Sequence, residues 1–210
     1  MRLTPFSLRS MRLIERLRDF CRADTGTVTV ESVMILPVLL FGLQFSYGYY
    51  EAQRRETLSV KANYAISDYL SRVPTIDQAM VNGLEDLLEL MTQSEDGAWV
   101  RVSVVECTKT PAKCNNKTPR RLTFNTDKQI SSESSLKRHT QWSMRAKMGP
   151  IIPVMYRGES LIVVETMIQT KPTFFGHWTG FHERGVYRVS VTGSREYDEL
   201  CFDTGNTVCP

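Results

Sequence analysis

Charge is missing from one stretch of the chain. Between Val28 and Tyr50, 23 residues reading VTVESVMILPVLLFGLQFSYGYY, Glu31 is the only charged side chain. That length spans a bilayer at about 1.5 Å rise per residue, so a membrane segment is expected there. Basic excess is missing from the remainder. Residues 1–26 carry Arg2, Arg9, Arg12, Arg16, Arg18 and Arg22 against Glu15, Asp19 and Asp24, leaving 20 basic and 20 acidic residues beyond them. A nucleic-acid-binding domain needs its positive excess on the folded part, so no nucleic-acid partner is expected. No C-x-x-C spacing occurs, which argues against a zinc ribbon or a thiol oxidoreductase. There is no G-x-S-x-G, Walker loop, dinucleotide fingerprint or H-E-x-x-H. His177 and His182 lie five apart in a Gly-flanked loop, and neither they nor His139 has an evident third ligand nearby. Neither enzyme activity, nor a metal, nor a cofactor is expected.

What is present supports a single-pass arrangement. Arginines crowd one flank of the apolar stretch, and Tyr47, Tyr49 and Tyr50 close the other before the polar run EAQRRE. The positive flank predicts a cytoplasmic N-terminus, and the tyrosines resemble an interfacial belt. The most apolar part, Val33–Phe45, is only 13 residues, so a buried core helix stays open as an alternative. A cleavable secretory signal is a second alternative. Glu31 sits at the headgroup level or pairs with a cation from a neighbouring chain. Pro37 lacks an N–H and loosens the helix locally, which membrane helices tolerate.

The five cysteines divide in the same way. Cys21 precedes the apolar stretch; Cys107 and Cys114, and Cys201 and Cys209, follow it as two close pairs. An oxidising compartment beyond the membrane would produce that division. Four cysteines allow three connectivities. The local ones, 107–114 and 201–209, are favoured because each pair flanks a turn-rich stretch whose closure costs little entropy. Cys21 then remains free.

The run Gly26-Thr27-Val28-Thr29-Val30-Glu31, followed by ILPVLL with Pro37, resembles the N-terminus of TadE-like proteins, pilin-like minor components of the tight-adherence (Flp-type) pilus and secretion system. The resemblance covers residues 15–71. A weaker likeness falls on Ile162–Glu165, Lys171–Phe175 and Tyr187–Arg195. It implies cutting by a prepilin-type peptidase between Gly26 and Thr27, making Glu31 mature residue five. The new ammonium and the carboxylate then lie one turn apart and can neutralise their counterparts in a packed neighbour. Ser32 departs from the pattern, where an aromatic is usual; an uncleaved anchor is the alternative. The implied assignment is an assembly subunit of the bacterial inner membrane, with a cytoplasmic leader (1–26), a transmembrane helix (27–50), its extension (51–73) and a periplasmic α+β domain (74–210). Its expected partners are the peptidase and other pilin-like or pilus-assembly subunits, with Glu31 and Pro37 as assembly residues. The rival function is a membrane-anchored periplasmic binding or sensor module.

Beyond the membrane no proline occurs until Pro74, so the helix is expected to reach about Ser71. Leu58, Ala62, Ala65 and Tyr69 would form its buried stripe. A second helix is expected over about Thr75–Gln93, with Ile76, Met80, Leu84, Leu87, Leu88 and Met91 inward. Strands are expected at Trp99–Cys107, Arg121–Asn125, Leu161–Thr170 and Val186–Thr192, and a loop over 126–139. The sum is α+β: a long N-terminal helix and a small antiparallel sheet, a shape shared by pilin-like folds.

Overall fold

The computed structural model describes residues 27–94, 97–107, 113–114, 122–170 and 183–203. In chain order the elements are α1 (Thr27–Leu70), β1 (Thr75–Ile76), α2 (Gln78–Thr92), β2 (Trp99–Cys107), β3 (Lys113–Cys114), β4 (Leu122–Thr123), β5 (Gln129–Ser131), α3 (Gln141–Lys147), β6 (Met155–Tyr156), β7 (Ser160–Thr170), β8 (Arg184–Gly193) and β9 (Cys201–Phe202). The chain divides into two compact units, residues 1–47 and 48–210.

In the first unit α1 is long and apolar enough to cross a membrane, and none of its apolar window is buried. Val33, Met34, Val38 and Leu43 are 68–72% exposed. The helix runs on through Pro37, which takes one N–H out of the ladder without ending it. Ser46 returns its hydroxyl to the Gly42 carbonyl at 2.8 Å, so its polar group is satisfied within the helix.

The second unit is built on an antiparallel sheet ordered β4-β2-β7-β8, with β5 also pairing with β2. Val102 lies opposite Val164 and Val104 opposite Ile162 in the β2–β7 register. Side chains alternate across a strand, so Val100, Val102, Val104, Ile162 and Val164 share one face. That face forms one core with Ala62, Ile66 and Leu70 of α1 and Val81, Leu84 and Leu88 of α2. On the other face Val105, Cys107, Leu161 and Val163 pack with Met144 of α3, Met148, Ile152 and Met155. A parallel two-residue pair, β1 with β9, lies outside the sheet and sets Thr75 opposite Cys201 and Ile76 opposite Phe202.

Local chemistry sets the helix ends. Asp77 caps α2, accepting from Met80 N at 2.7 Å, and Gln93 closes it in the left-handed region at φ 53°. Hence the second helix starts at Gln78, three residues later than expected. Ile76, assigned by periodicity to that helix, is a buried strand residue instead. Leu87 is exposed and Val81 is buried, which also departs from the expected inward face.

Two further expectations are corrected. The stretch 126–139 contains β5, because Gln129–Ser131 pairs with Arg101–Ser103. Its polar side chains are used inside the fold: Gln129 is buried and bonds both backbone groups of His139, while Ile130 enters the core. The buried stripe of α1 is rotated from the one expected: Tyr69 and Ala65 face outward, and Ser59, Ala62, Asn63, Ile66, Ser67 and Leu70 face the core. Small polar side chains thus stand within the stripe that faces the sheet. Asn63 Nδ2 donates to Thr166 Oγ1 at 3.0 Å and to the Val164 carbonyl at 3.4 Å. Asn63→Leu removes these bonds and overfills the contact, so it should cost about 1–3 kcal/mol. Tyr64→Ala, at a side chain 65% exposed, should stay within about 0.5 kcal/mol. Denaturant unfolding of the full chain in micelles measures both; equal losses would refute the rotated stripe.

Candidate functional site

The residues singled out in the first unit occupy one helix. Thr27 opens α1 and Glu31 follows four residues later, one turn on. Glu31 is exposed, and no described residue pairs with it. Pro37 is exposed as well. Gly26, the other half of the expected cleavage site, lies outside the described residues. So do Cys21, Cys209, the side chain of Cys114 and the loop carrying His177 and His182.

A second constellation, which sequence reasoning did not assemble, lies in the second unit on the sheet face turned toward α3. Arg101 of β2 stands directly opposite Glu165 of β7. Both are nearly fully buried, and so is His139. The Glu165 carboxylate is bonded through both oxygens. Oε1 accepts from the Tyr187 hydroxyl. Oε2 lies 2.9 Å from His139 Nε2 and 3.5 Å from Arg101 Nη1. Arg101 also donates from Nη2 to the Lys137 carbonyl at 3.3 Å, and its guanidinium lies 5.4 Å from the Trp99 ring centre, within cation–π range. His139 is held by its backbone: Gln129 accepts from its N–H and donates to its carbonyl, each at 2.9 Å.

Charge balance explains the states of the cluster. Burial alone would raise the Glu165 carboxyl. The hydrogen bonds from His139 and Tyr187, with the His139 and Arg101 charges, outweigh that and hold it below the usual carboxylate range. Burial raises the Tyr187 phenol far above its ordinary value, and the adjacent carboxylate adds to the shift. His139 Nε2 also faces Arg101 Nη1 at 2.8 Å. A guanidinium only donates and a carboxylate only accepts, so this nitrogen satisfies one neighbour at a time.

Ser143 Oγ, His139 and Glu165 form a chain that resembles a hydrolase triad in composition. The hydroxyl lies 3.3 Å from His139 Nδ1. It also closes the capping box of α3, accepting from Thr140 N at 2.8 Å and donating to the Thr140 carbonyl at 3.0 Å. A nucleophile needs a hydroxyl proton aimed at its base, and this one is committed to a cap. The arrangement therefore acts as a staple: it ties α3 and the segment before it to β2, β7 and β8.

Above the staple opens a cleft of about 680 Å³, lined by Trp99, Tyr187, Trp142 and Ile151 and by Lys137, Arg138 and Lys147. The signal that was available in the sequence is the charge inside apolar strands. Arg101 sits between valines, and Glu165 follows Val163-Val164. Strands apolar on both sides of a charge imply a buried pair. Comparison with family models, curated proteins and solved structures returns no match for this chain.

Acid should expose the staple. The folded pKa of Glu165 lies below its unfolded value, so its contribution is present above about pH 4.3 and is lost as pH falls through the folded value. Tyr187 has the opposite sign: its contribution is complete below about pH 10 and is lost as pH rises through its higher folded value. Glu165→Gln should cost about 3–5 kcal/mol at neutral pH, because it leaves Arg101 uncompensated, and should flatten the acid limb of stability. Tyr187→Phe should flatten the alkaline limb. Thermal melts across pH decide; an unchanged acid limb in Glu165→Gln would show that the carboxylate is not the group responsible.

Proposed function

We propose that this chain is a membrane-anchored, pilin-related structural or assembly subunit of a tight-adherence (Flp-type) system, and not an enzyme. The observation that carries this reading is Glu31: one exposed carboxylate, one turn beyond Thr27, on a helix otherwise lined by exposed aliphatic side chains. In water such a surface is costly; in a bilayer the aliphatics are solvated and the lone carboxylate calls for a cation. The ammonium created by cutting after Gly26 supplies one, in the same chain or in a neighbouring subunit. The GTVTVE and ILPVLL motifs supply the resemblance to TadE-like proteins. The leader arginines support an N-terminus in the cytoplasm and a domain in the periplasm.

Local disulfides belong to the same reading. Cys107 and Cys201 are each disulfide-bonded, which supports an oxidising compartment for this unit. The pairing proposed is 107–114 and 201–209. A second reading, a membrane-anchored periplasmic binding or sensor module, draws on the cleft over Arg101 and Tyr187.

Mass spectrometry of the protein extracted from membranes tests the first reading. The expected mature N-terminus is Thr27, and Gly26→Val should leave the leader attached, because the cut site admits almost no side chain. An intact Met1 form in cells that hold the peptidase would refute processing. In the same cells, Glu31→Gln should leave the domain folded and lower subunit cross-linking through the helix. Unchanged cross-linking would reduce Glu31 to an interfacial carboxylate. Non-reducing peptide mapping should return linked 107–114 and 201–209 peptides, and free thiols at all four positions would overturn the periplasmic assignment.

A further inference from the structure

The cleft is basic and aromatic, and its rim is without acidic partners. Lys137, Arg138 and Lys147 line it, and no described carboxylate pairs with any of them. Arg138 spends its hydrogen bonds on the Thr126 and Gln129 carbonyls, which leave its charge uncompensated. Trp142 is 79% exposed and Ile151 50%. An indole so exposed beside three cations is a common anchor of protein interfaces and a poor surface residue otherwise.

The complementary surface is on the same chain. The outward ridge of α2 carries Ala79, Gly83, Leu87 and Leu90, with Leu90 77% exposed. Glu85, Asp86 and Glu89 flank the ridge, and the helix holds no basic residue. A Cβ on Gly83 would meet nothing within 4 Å, so no contact among the described residues accounts for a glycine there. Gly in an exposed helix interior costs about 1 kcal/mol against Ala, and an approaching backbone would account for it. The acids are crowded: burial, and then Glu89, Asp86 and Glu133, push the Glu85 carboxyl up despite its bond to Ser132. A cationic partner would relieve that crowding.

We propose that the cleft is the docking site for the α2 ridge of a second copy of this chain. Leu90 and Leu87 seat against Trp142 and Ile151, and Glu85, Asp86 and Glu89 meet Lys137, Arg138 and Lys147. The core that α2 packs on and the residues that floor the cleft occupy opposite faces of the sheet. The contact is therefore heterologous. A docked pair keeps one ridge and one cleft free, and copies add head to tail. This inference stands on the second unit alone and needs neither cleavage nor a pilus. A bilayer surface is the other partner a basic aromatic patch can meet; the concave shape and the matching acidic ridge favour the second copy.

The test uses the full chain in detergent micelles, with Cys21→Ser removing the odd thiol. One tagged population carries Ala79→Cys and another Ala146→Cys, both at small exposed helical positions. They are mixed with a short bismaleimide. The expected product is the mixed dimer, with each population alone giving at least tenfold less. Trp142→Ala, or Lys137→Glu with Lys147→Glu, in the cleft copy should lower the mixed product at least tenfold. Asp86→Lys with Glu89→Lys in the ridge copy should restore it against the reversed cleft, a rescue that misfolding cannot imitate. No mixed product, or a dominant link between two Ala79→Cys copies, overturns the proposal. So does protection of Ala146→Cys from a water-soluble maleimide only in anionic vesicles, without a mixed link, since the cleft then meets lipid. Loss of this link with normal processing at Gly26 would leave the proposed function standing.

Discussion

Burial of β2 and β7 on both faces is the constraint from which the rest of the second unit follows. Val100, Arg101, Val102, Ser103, Val104 and Val105 are consecutive and all buried, and Leu161 through Thr166 repeat the pattern. A two-sided strand pair cannot sit at a surface, so each face must be covered by another layer. α1 and α2 cover the face that carries the even-numbered valines of β2. α3, with the turns leading to β6, covers the other. The small strands β4 and β5 shield the β2 edge at its two ends, and β8 extends the sheet along β7 from Leu161 to Thr170.

Covering the second face with a seven-residue helix leaves part of it polar. Near β4 the layer is apolar, with Met144, Met148 and Ile152 on Val105 and Val163. Toward Trp99 it becomes the Arg101–His139–Glu165–Tyr187 staple. A buried pair of charges is not worth much as stability by itself, because desolvation consumes most of the Coulombic gain. Its value here is register. Arg101 and Glu165 meet only if β2 and β7 pair as they do, and a slip of one strand by one residue would move its charge to the core face covered by α1 and α2 and leave the other charge unpaired. The same cluster holds His139, hence the start of α3, hence Trp142 at the cleft rim.

Elements were legible in the sequence where one physical signal dominated. Alternation gave Trp99–Cys107 its strand, and the run to Pro74 gave α1 its length. The α1 stripe failed for a definite reason. Periodicity ranks residues by hydrophobicity, so it chose Leu58 and Tyr69 over Ser59, Asn63 and Ser67. Close helix–sheet packing ranks them by size and by hydrogen-bonding reach, and Asn63 satisfies both through Thr166. α3 escaped notice because QWSMRAK is too short for a periodic signal, and its existence depends on the Thr140–Ser143 box and on Met144 finding the core. The cluster escaped because its members come from four separate segments; only the lone charges inside valine runs announced it.

The same helix obeys two opposite rules along its length, and this bears on how α1 acquires its stability. Up to Tyr47 its large aliphatics are exposed on every side and its polar groups are few. From Ser59 onward its buried stripe mixes Ala62 and Ile66 with Ser59, Asn63 and Ser67. In water, isolated helices shorter than about 12–15 residues are marginal, and most helical stability in proteins comes from packing. The later part gains it from the sheet, through the apolar contacts of Ala62, Ile66 and Leu70 and the hydrogen bonds of Asn63 to Thr166 and Val164. The earlier part has no described packing partner of its own and is long and apolar enough to cross a membrane; in a bilayer, where backbone groups find no competing water, a helix needs none. A uniformly apolar surface suits such surroundings and a small polar stripe does not. Exchanging the two patterns would leave the first part with unsatisfied polar groups and push the second part away from the sheet.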